Sequence, residues 1–504
     1  MDAFGSAAIR QSLATPPFPS TTNSISDHER GIVTTTQHFI RYIASSLLVM
    51  SAAHAEEGVV SSTASAAPAV QSGGASAATV AGDKPPAVSP KYFPLETTCH
   101  AQSTMISEKH TTFASPYAGA NSLPSEEGRK TSVTATIFAG VQLWHGTEVY
   151  VDPELAGGEG FAGVAGIAGF PNGEIPRVGA SEPEPYFARL FLRQTINFGP
   201  CTQVLEDGPN QVATTVSPER LQLTVGKVAA TDFFDGNTYS HDPRSQFMNW
   251  SLMDNGAWDY PADTRGYTRG AIAEWYDHSW AVRLGFLEEP TNANGPDLES
   301  HPSHALSYDF ELEKHYHVHR RDGALRVLVY ENRANMGNYQ QAISQSATGG
   351  TPDIVATRTS SNKFGFGLSA EQAINDSLGV FCRLGWNDGH TESWAFTEID
   401  RTVSLGLLAK GTWWHRPDDQ LGLAGVANGL SRDHREYLSD GGYGFIIGDG
   451  RLNYGYEKIV ECYYLIGVTS NIMVTPEVQY IANPAYNKDR GPVKLWGLRV
   501  HLEF

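Results

Sequence analysis

The sequence predicts an all-β protein: a transmembrane antiparallel β-barrel of about 16 strands, with long extracellular loops folding into the lumen. Three observations lead there. The chain ends V-K-L-W-G-L-R-V-H-L-E-F. In it, Trp496, Leu498, Val500, Leu502 and Phe504 share one face, and Leu495, Gly497, Arg499, His501 and Glu503 share the other. The same two-residue period recurs upstream through most of the chain, which a lone amphipathic edge strand of a soluble protein would not require. Aromatics reach 11% (21 Tyr, 22 Phe, 10 Trp) although only 40% of residues are hydrophobic, and there are 50 glycines. Strands that meet lipid on alternate residues and carry aromatic girdles have this composition.

The 504 residues suffice for two or three ordinary domains or for one large barrel. No apolar run of ~20 residues follows the N-terminal region, which excludes a bundle of transmembrane helices and leaves a barrel open. A formal charge of −19 excludes nucleic acid as a natural partner. It does not set the preference of a pore, which the few charges at the narrowest point decide. Cys99, Cys201, Cys382 and Cys462 show no zinc-like or redox spacing. The last two read as small apolar residues on the lipid face, and pairing of Cys99 with Cys201 is left open.

Residues 1–32 are polar and without period, and read as an over-extended start or a disordered stretch. Residues 33–55 have the layout of a signal peptide. Arg41 precedes an apolar core from Tyr42 to Met50, and Ala53-His54-Ala55 offers a small-x-small cleavage site before Glu56. Residues 56–96 are rich in Ala, Ser, Val, Gly and Pro, cannot build a core, and read as a flexible periplasmic segment. From 97 to 504 strand-like runs follow one another, which predicts an outer-membrane barrel over that range. They lie near 99–109, 131–142, 147–152, 186–198, 219–230, 265–276, 279–288, 308–319, 323–333, 361–373, 376–387, 398–411, 419–430, 451–468, 471–482 and 492–504. Tight turns such as Asn375-Asp376 alternate with long connections at 153–185, 231–264 and 334–360, as expected of periplasmic turns and extracellular loops.

Facing is legible strand by strand. In 186–198, Ala188, Leu190, Leu192, Ile196 and Phe198 read as lipid-facing, with Arg189, Arg193, Thr195 and Asn197 inward. Trp280, Val282, Leu284 and Phe286 oppose Arg283. Leu378, Val380, Leu384 and Trp386 oppose Arg383 and Asn387. Asp309, Glu311, Glu313, His315, His317 and His319 share one face. Alternate strand residues stand ~6.8 Å apart, too far for those three histidines to close on one zinc. Asp232-x-x-Asp235-x-Asn237 lacks the loop length and closing Glu of a calcium site. Neither a metal nor another cofactor is expected, nor is an enzyme, because no nucleophile motif or phosphate-binding glycine loop is present.

Several blocks then point to one family. They are L-T-V-G-K-V-A-A-T-D-F-F-D-G-N (223–237) and N-W-S-L-M-D-N-G-A-W-D-Y (249–260), with A-G-F-P-N-G-E (168–174), A-R-L-F-L-R-Q-T (188–195), E-D-G-P-N-Q (206–211) and E-N-R-A-N-M-G-N-Y (331–339). The C-terminal third adds R-P-D-D-Q-L-G-L-A (416–424), G-L-S-R-D-H-R-E-Y-L (429–438), I-I-G-D-G-R-L-N-Y (446–454) and I-A-N-P-A-Y-N-K-D-R-G-P-V (481–493). Together they resemble the OprB-type carbohydrate-selective porins over roughly 97–504. The resemblance implies an outer-membrane barrel that admits mono- and small oligosaccharides by facilitated diffusion. A general or anion-preferring pore is the alternative. Outer-membrane lipid and lipopolysaccharide would surround it, and the barrel-assembly machinery would meet the terminal Phe504. The oligomeric state is left open.

A sugar-selective constriction needs donors and acceptors for hydroxyls and an aromatic surface for the ring face. Arg suits the first task, because its planar fork donates twice. Arg189 and Arg193, with Phe191 between them on the same inward face, are the first candidates. The loop 231–264 supplies the second set, Asp232, Asp235, Asn237, Arg244, Trp250 and Trp258. Arg283 joins them from the wall.

Overall fold

A computed structural model describes residues 95–175, 181–346 and 349–504. The stretches read as surplus start, leader and linker lie, up to residue 94, outside the described residues. Among the described residues four strands come first: β1 (Thr97–His110), β2 (Lys130–Trp144), β3 (Thr147–Gly158) and β4 (Glu184–Asn197). A short hairpin follows, β5 (Gln203–Leu205) and β6 (Thr214–Val216). Then come β7 (Glu219–Val228), β8 (Thr268–Asp277), β9 (Trp280–Leu287), β10 (Leu306–Val318), β11 (Arg321–Ala334), β12 (Ser361–Asn375), β13 (Leu378–Asn387), β14 (Arg401–Lys410), β15 (Gln420–Gly429), β16 (Glu457–Thr469), β17 (Ile472–Ala482) and β18 (Val493–Glu503). All but the hairpin form one closed antiparallel barrel of 16 strands, each paired with its neighbours along the chain.

Closure follows from the two faces. A sheet with an apolar outer face in lipid cannot leave an edge of unpaired N–H and C=O groups, and only a ring removes both edges. β1 pairs β18 from Gln102 opposite Glu503 to His110 opposite Leu495. The last residue completes the seam: Phe504 donates to the Ala101 carbonyl at 2.8 Å and accepts from the Ala101 amide at 2.9 Å. On β18, Trp496 and Leu498 are exposed outward while Arg499 and His501 are buried within. On β10 the acids Asp309, Glu311 and Glu313 are buried inward, and Tyr308 and Phe310 face out.

At one rim most connections are two residues long, as at 145–146, 278–279, 319–320, 376–377 and 470–471. At the other rim they are long, as at 111–129, 159–183, 229–267, 335–360 and 430–456. Among the described residues three short helices appear: α1 (Trp250–Met253) lies inside the barrel against β14 and β15, and α2 (Tyr339–Gln345) and α3 (Arg432–Ser439) lie at the long-loop rim. Helices α2 and α3 pack through Tyr339, Ala342, Tyr437 and Leu438 into a second hydrophobic cluster with Ile446, Ile447 and Tyr486. That cluster caps one side of the mouth.

Two local readings are corrected. Strand β3 continues through Pro153 to Gly158 instead of ending at 152. Proline cannot donate to a ladder, but here it sits at a register shift between Asp152 and Pro153. The same shift inserts Ala188 into β4 as an extra residue, since Asp152 faces Arg189 and Pro153 faces Phe187. Ala188 is therefore buried against Ala229 and Tyr267 inside the barrel, not set toward lipid. The connection 198–218 at the short-turn rim, left without elements between the strands read at 186–198 and 219–230, carries β5 and β6.

Cys99 and Cys201 are both exposed and unpaired. Among the described residues no group of His, Cys, Asp and Glu is placed to hold a metal ion. His315 lies 3.0 Å from Glu313, and His317 lies 2.7 Å from Asp322 across the turn.

Candidate functional site in the lumen

The connection 229–267 between β7 and β8 leaves the rim, enters the lumen and reaches strands on the far side. Inward charges of the wall meet its backbone, which gives buried groups on both sides a partner. Glu461 accepts from the amides of Met248 and Asn249 at 2.7 and 3.0 Å. Arg499 donates to the carbonyls of Pro243 and Gln246 at 2.6 and 2.8 Å. Arg383 donates to the carbonyls of Leu252 and Ser240 at 2.8 and 2.6 Å and lies 3.0 Å from the Asp235 carboxylate. Glu371 accepts from the Thr238 amide at 2.7 Å.

Four residues expected at the constriction belong to this attachment. Asp235 is buried between Arg383 and the Asn255 amide, which donates to it at 2.7 Å. Asn237 donates to Ser369 at 3.2 Å. The Trp258 indole, fully buried, donates to Asp309 at 3.0 Å. Arg283 lies in the wall, 2.6 Å from Glu313 and 2.8 Å from Glu311. The Asp232-Asp235-Asn237 triplet thus disperses, because Asp232 turns to Arg189.

Of the other six, Arg189, Phe191, Arg193 and Asp232 cluster at the inner wall, with Phe191 buried, and Arg244 and Trp250 line a cavity. On β4, Arg189, Phe191 and Arg193 share the inward face. Arg189 grips Asp232 with two bonds of 2.6 Å, and its guanidinium lies 5.4 Å from the centre of the Tyr267 ring. Phe191 stacks on Tyr150 of β3, with ring centres 5.0 Å apart and planes 28° apart. Arg193 lies over both rings, 5.3 Å from Tyr150 and 5.5 Å from Phe191, and 4.0 Å from Glu148. Gly140 on β2 makes room for this stack, since a Cβ there would come within 2.5 Å of the Tyr150 ring.

Arg244 and Trp250 line a cavity of about 130 Å³ nearer the long-loop rim. Its walls carry the aromatics Tyr186, Tyr260, Tyr267 and Phe396 and the acids Glu154, Glu174 and Asp263. Arg244 lies 3.0 Å from Glu174 and 3.5 Å from Glu154. The Trp250 ring stacks on Phe396 at 5.6 Å, and its indole donates to the Asn172 carbonyl at 2.9 Å. Tyr186 donates to Glu154, as does Tyr267 at 3.1 Å. Burial pushes the Asp263 carboxyl up, against the pull of the Lys227 ammonium and of the amides of Tyr267 and Arg265.

Reading by sequence missed Tyr150, Asp152, Glu154, Tyr186, Tyr267 and Asn210. Alternation in E-V-Y-V-D (148–152) already turns Glu148, Tyr150 and Asp152 inward, so a signal was there. Asn210 had none beyond its block, because its partners Asp152 and Arg193 stand on other elements. The arrangement packs two buried, stacked rings among fixed guanidiniums and carboxylates.

Residues 136–504 match the profile of the family described as "Carbohydrate-selective porin, OprB family". Among curated proteins, Porin AaxA of Chlamydia muridarum is 23% identical over 291 residues, covering 57% of this chain and 53% of that protein. Porin AaxA of Chlamydia pneumoniae is 22% identical over 283 residues, covering 56% and 55%. The match thus spans about half the length of the curated relatives. Among solved structures, Pseudomonas putida OprB superposes with a TM-score of 0.60 at 15% identity, over 81% of this chain and 94% of that one.

Proposed function

This chain belongs to the OprB family of carbohydrate-selective porins and is an outer-membrane β-barrel, and on that premise we propose that it admits neutral mono- and small oligosaccharides by facilitated diffusion. The observation that carries this reading is the Tyr150–Phe191 stack set between Arg193 and Arg189 on the inner wall. A pyranose presents apolar C–H faces to rings and equatorial hydroxyls to charged donors and acceptors. The wall holds both within one strand pair, the rings buried beneath Arg193. The cavity at Arg244, Trp250, Tyr186 and Tyr267 supplies a second station of the same chemistry above it. Binding at either station is weak by necessity, since a tight site stops conduction.

The test is single-channel current in planar bilayers with purified full-length protein. Glucose on one side should block the current in a saturable, concentration-dependent way. Unblocked current at all sugar concentrations would overturn the reading and leave a general diffusion pore.

A further inference from the structure

The hairpin β5–β6 stands apart from the barrel wall, at the short-turn rim. Its tip, 206–211, turns back into the mouth of the barrel from the short-turn rim. Thr98 donates to the Gly208 carbonyl at 3.3 Å, and His100 lies 2.9 Å from Asp207. Just behind the tip, the Val212 amide donates to the Tyr150 hydroxyl at 3.1 Å, and Val212 is buried in the lumen cluster that includes Tyr150 and Phe191. Asn210 stands in the left-handed region at φ 56°. Its side-chain amide donates to Asp152 Oδ2 at 2.9 Å, and its carbonyl accepts from Arg193 Nη1 at 3.1 Å.

Donating a hydrogen bond to a carboxylate through the side chain while accepting one from a guanidinium through the main-chain carbonyl is what a pair of sugar hydroxyls does at such a wall. The surroundings are incomplete with the tip in place. Asp152 Oδ1, Arg189 Nη1 and Arg193 Nε are buried and make no hydrogen bond within the protein. Two are donors and one is an acceptor. Each unmade bond of this kind costs roughly 1–3 kcal/mol, so a ligand with several hydroxyls has more to offer these groups than the tip does. Two guanidiniums, Arg189 and Arg193, stand against Glu148, Asp152 and Asp232, a nearly balanced set. That balance suits a neutral polyol over a sugar acid.

We propose that Asn210 is a built-in surrogate for sugar: the hairpin tip occupies a polyol subsite made by Asp152, Arg189 and Arg193 beside the Tyr150–Phe191 stack, and a passing neutral sugar displaces it. The inference rests on the sugar-uptake reading and adds a specificity-determining residue contributed from the short-turn rim.

Asn210→Gly tests it, because glycine keeps the left-handed turn and deletes the side chain. In the full-length protein, block of the current by glucose should tighten about fivefold, the worth of one hydrogen bond, with block by gluconate unchanged. If the parent is blocked by glucose and Asn210→Gly is blocked equally or more weakly, the surrogate is refuted while sugar uptake stands. If the parent is not blocked, the uptake reading itself fails. Hydrogen exchange on the unsubstituted protein gives a readout free of any folding defect. Saturating glucose should speed exchange of the amides of 206–212, and protection that is unchanged or increased overturns the proposal.

Discussion

Arg193 carries more of the proposed chemistry than any other single residue. Its guanidinium covers two stacked rings, faces Glu148 at 4.0 Å and is held by the Asn210 carbonyl. Removing one charged donor weakens a contact by about 1.5–3 kcal/mol when it is desolvated, and a wet pore places the effect at the low end. Arg193→Ala should therefore loosen glucose block several-fold and shift ion preference toward cations, with the barrel still assembled. Arg193→Lys should restore the ion preference but not the block, since an ammonium lacks the two-pronged donor. Single-channel block and reversal potentials in a salt gradient read both. Unaltered block in Arg193→Ala would return Arg193 to the wall and move the constriction to the 229–267 connection.

At the scale of elements, that connection is held by wall charges rather than by its own structure. Arg383 alone ties Asp235, Ser240 and Leu252 to β13. Arg383→Met leaves the buried Asp235 carboxylate without its partner, a loss of about 3–5 kcal/mol for a buried pair. The expected outcome is a barrel that still assembles, with higher conductance, more current noise and little sugar block, measured in bilayers alongside thermal unfolding in detergent.

The cap over the mouth has a different dependence. Burial would raise the Asp400 carboxyl, but His434, whose Nδ1 lies 3.0 Å away, and the Ser431 amide, donating at 2.8 Å, bring it down to about 2. A depressed carboxylate contributes stability that is complete above its ordinary value, ~4, and disappears as pH falls through its folded value. Docking of α3 should thus persist to about pH 4 and fail between there and about pH 2. Hydrogen exchange of 432–439 across that range checks it, and Asp400→Asn should abolish the dependence.

For the whole molecule, alternation divides each strand between hydrocarbon and lumen. Leu405, in the middle of β14, is 66% exposed on the outer face, and its neighbour Ser404 is buried within. Leu405→Arg should destabilise the barrel in lipid vesicles by about 2–4 kcal/mol, the cost of a guanidinium near the bilayer midplane. Folding titrations in vesicles measure this. A loss below about 1 kcal/mol would place Leu405 near an interface or against another protein surface.

Strand number, strand faces and the closing role of the last segment were legible in the sequence, because a side-chain period of two is a local property and each strand writes it independently. Arg189, Phe191 and Arg193 were placed on the inner face by that period alone. It failed at Ala188, where one inserted residue in β4 shifts the alternation, and past Pro153, whose strand continues through the same irregularity. Which inward residues meet the lumen and which are covered was decided only by tertiary structure. Trp250 and Trp258 stand eight positions apart in one connection with equal local claims, yet one lines a cavity and the other is sealed against Asp309. Arg193 and Arg283 both face inward from strands, yet Arg283 is enclosed by Glu274, Glu311 and Glu313. The difference arises where a long connection and a hairpin enter the barrel from opposite rims. The contacts that place them join residues far apart in the chain, and no local period records those contacts.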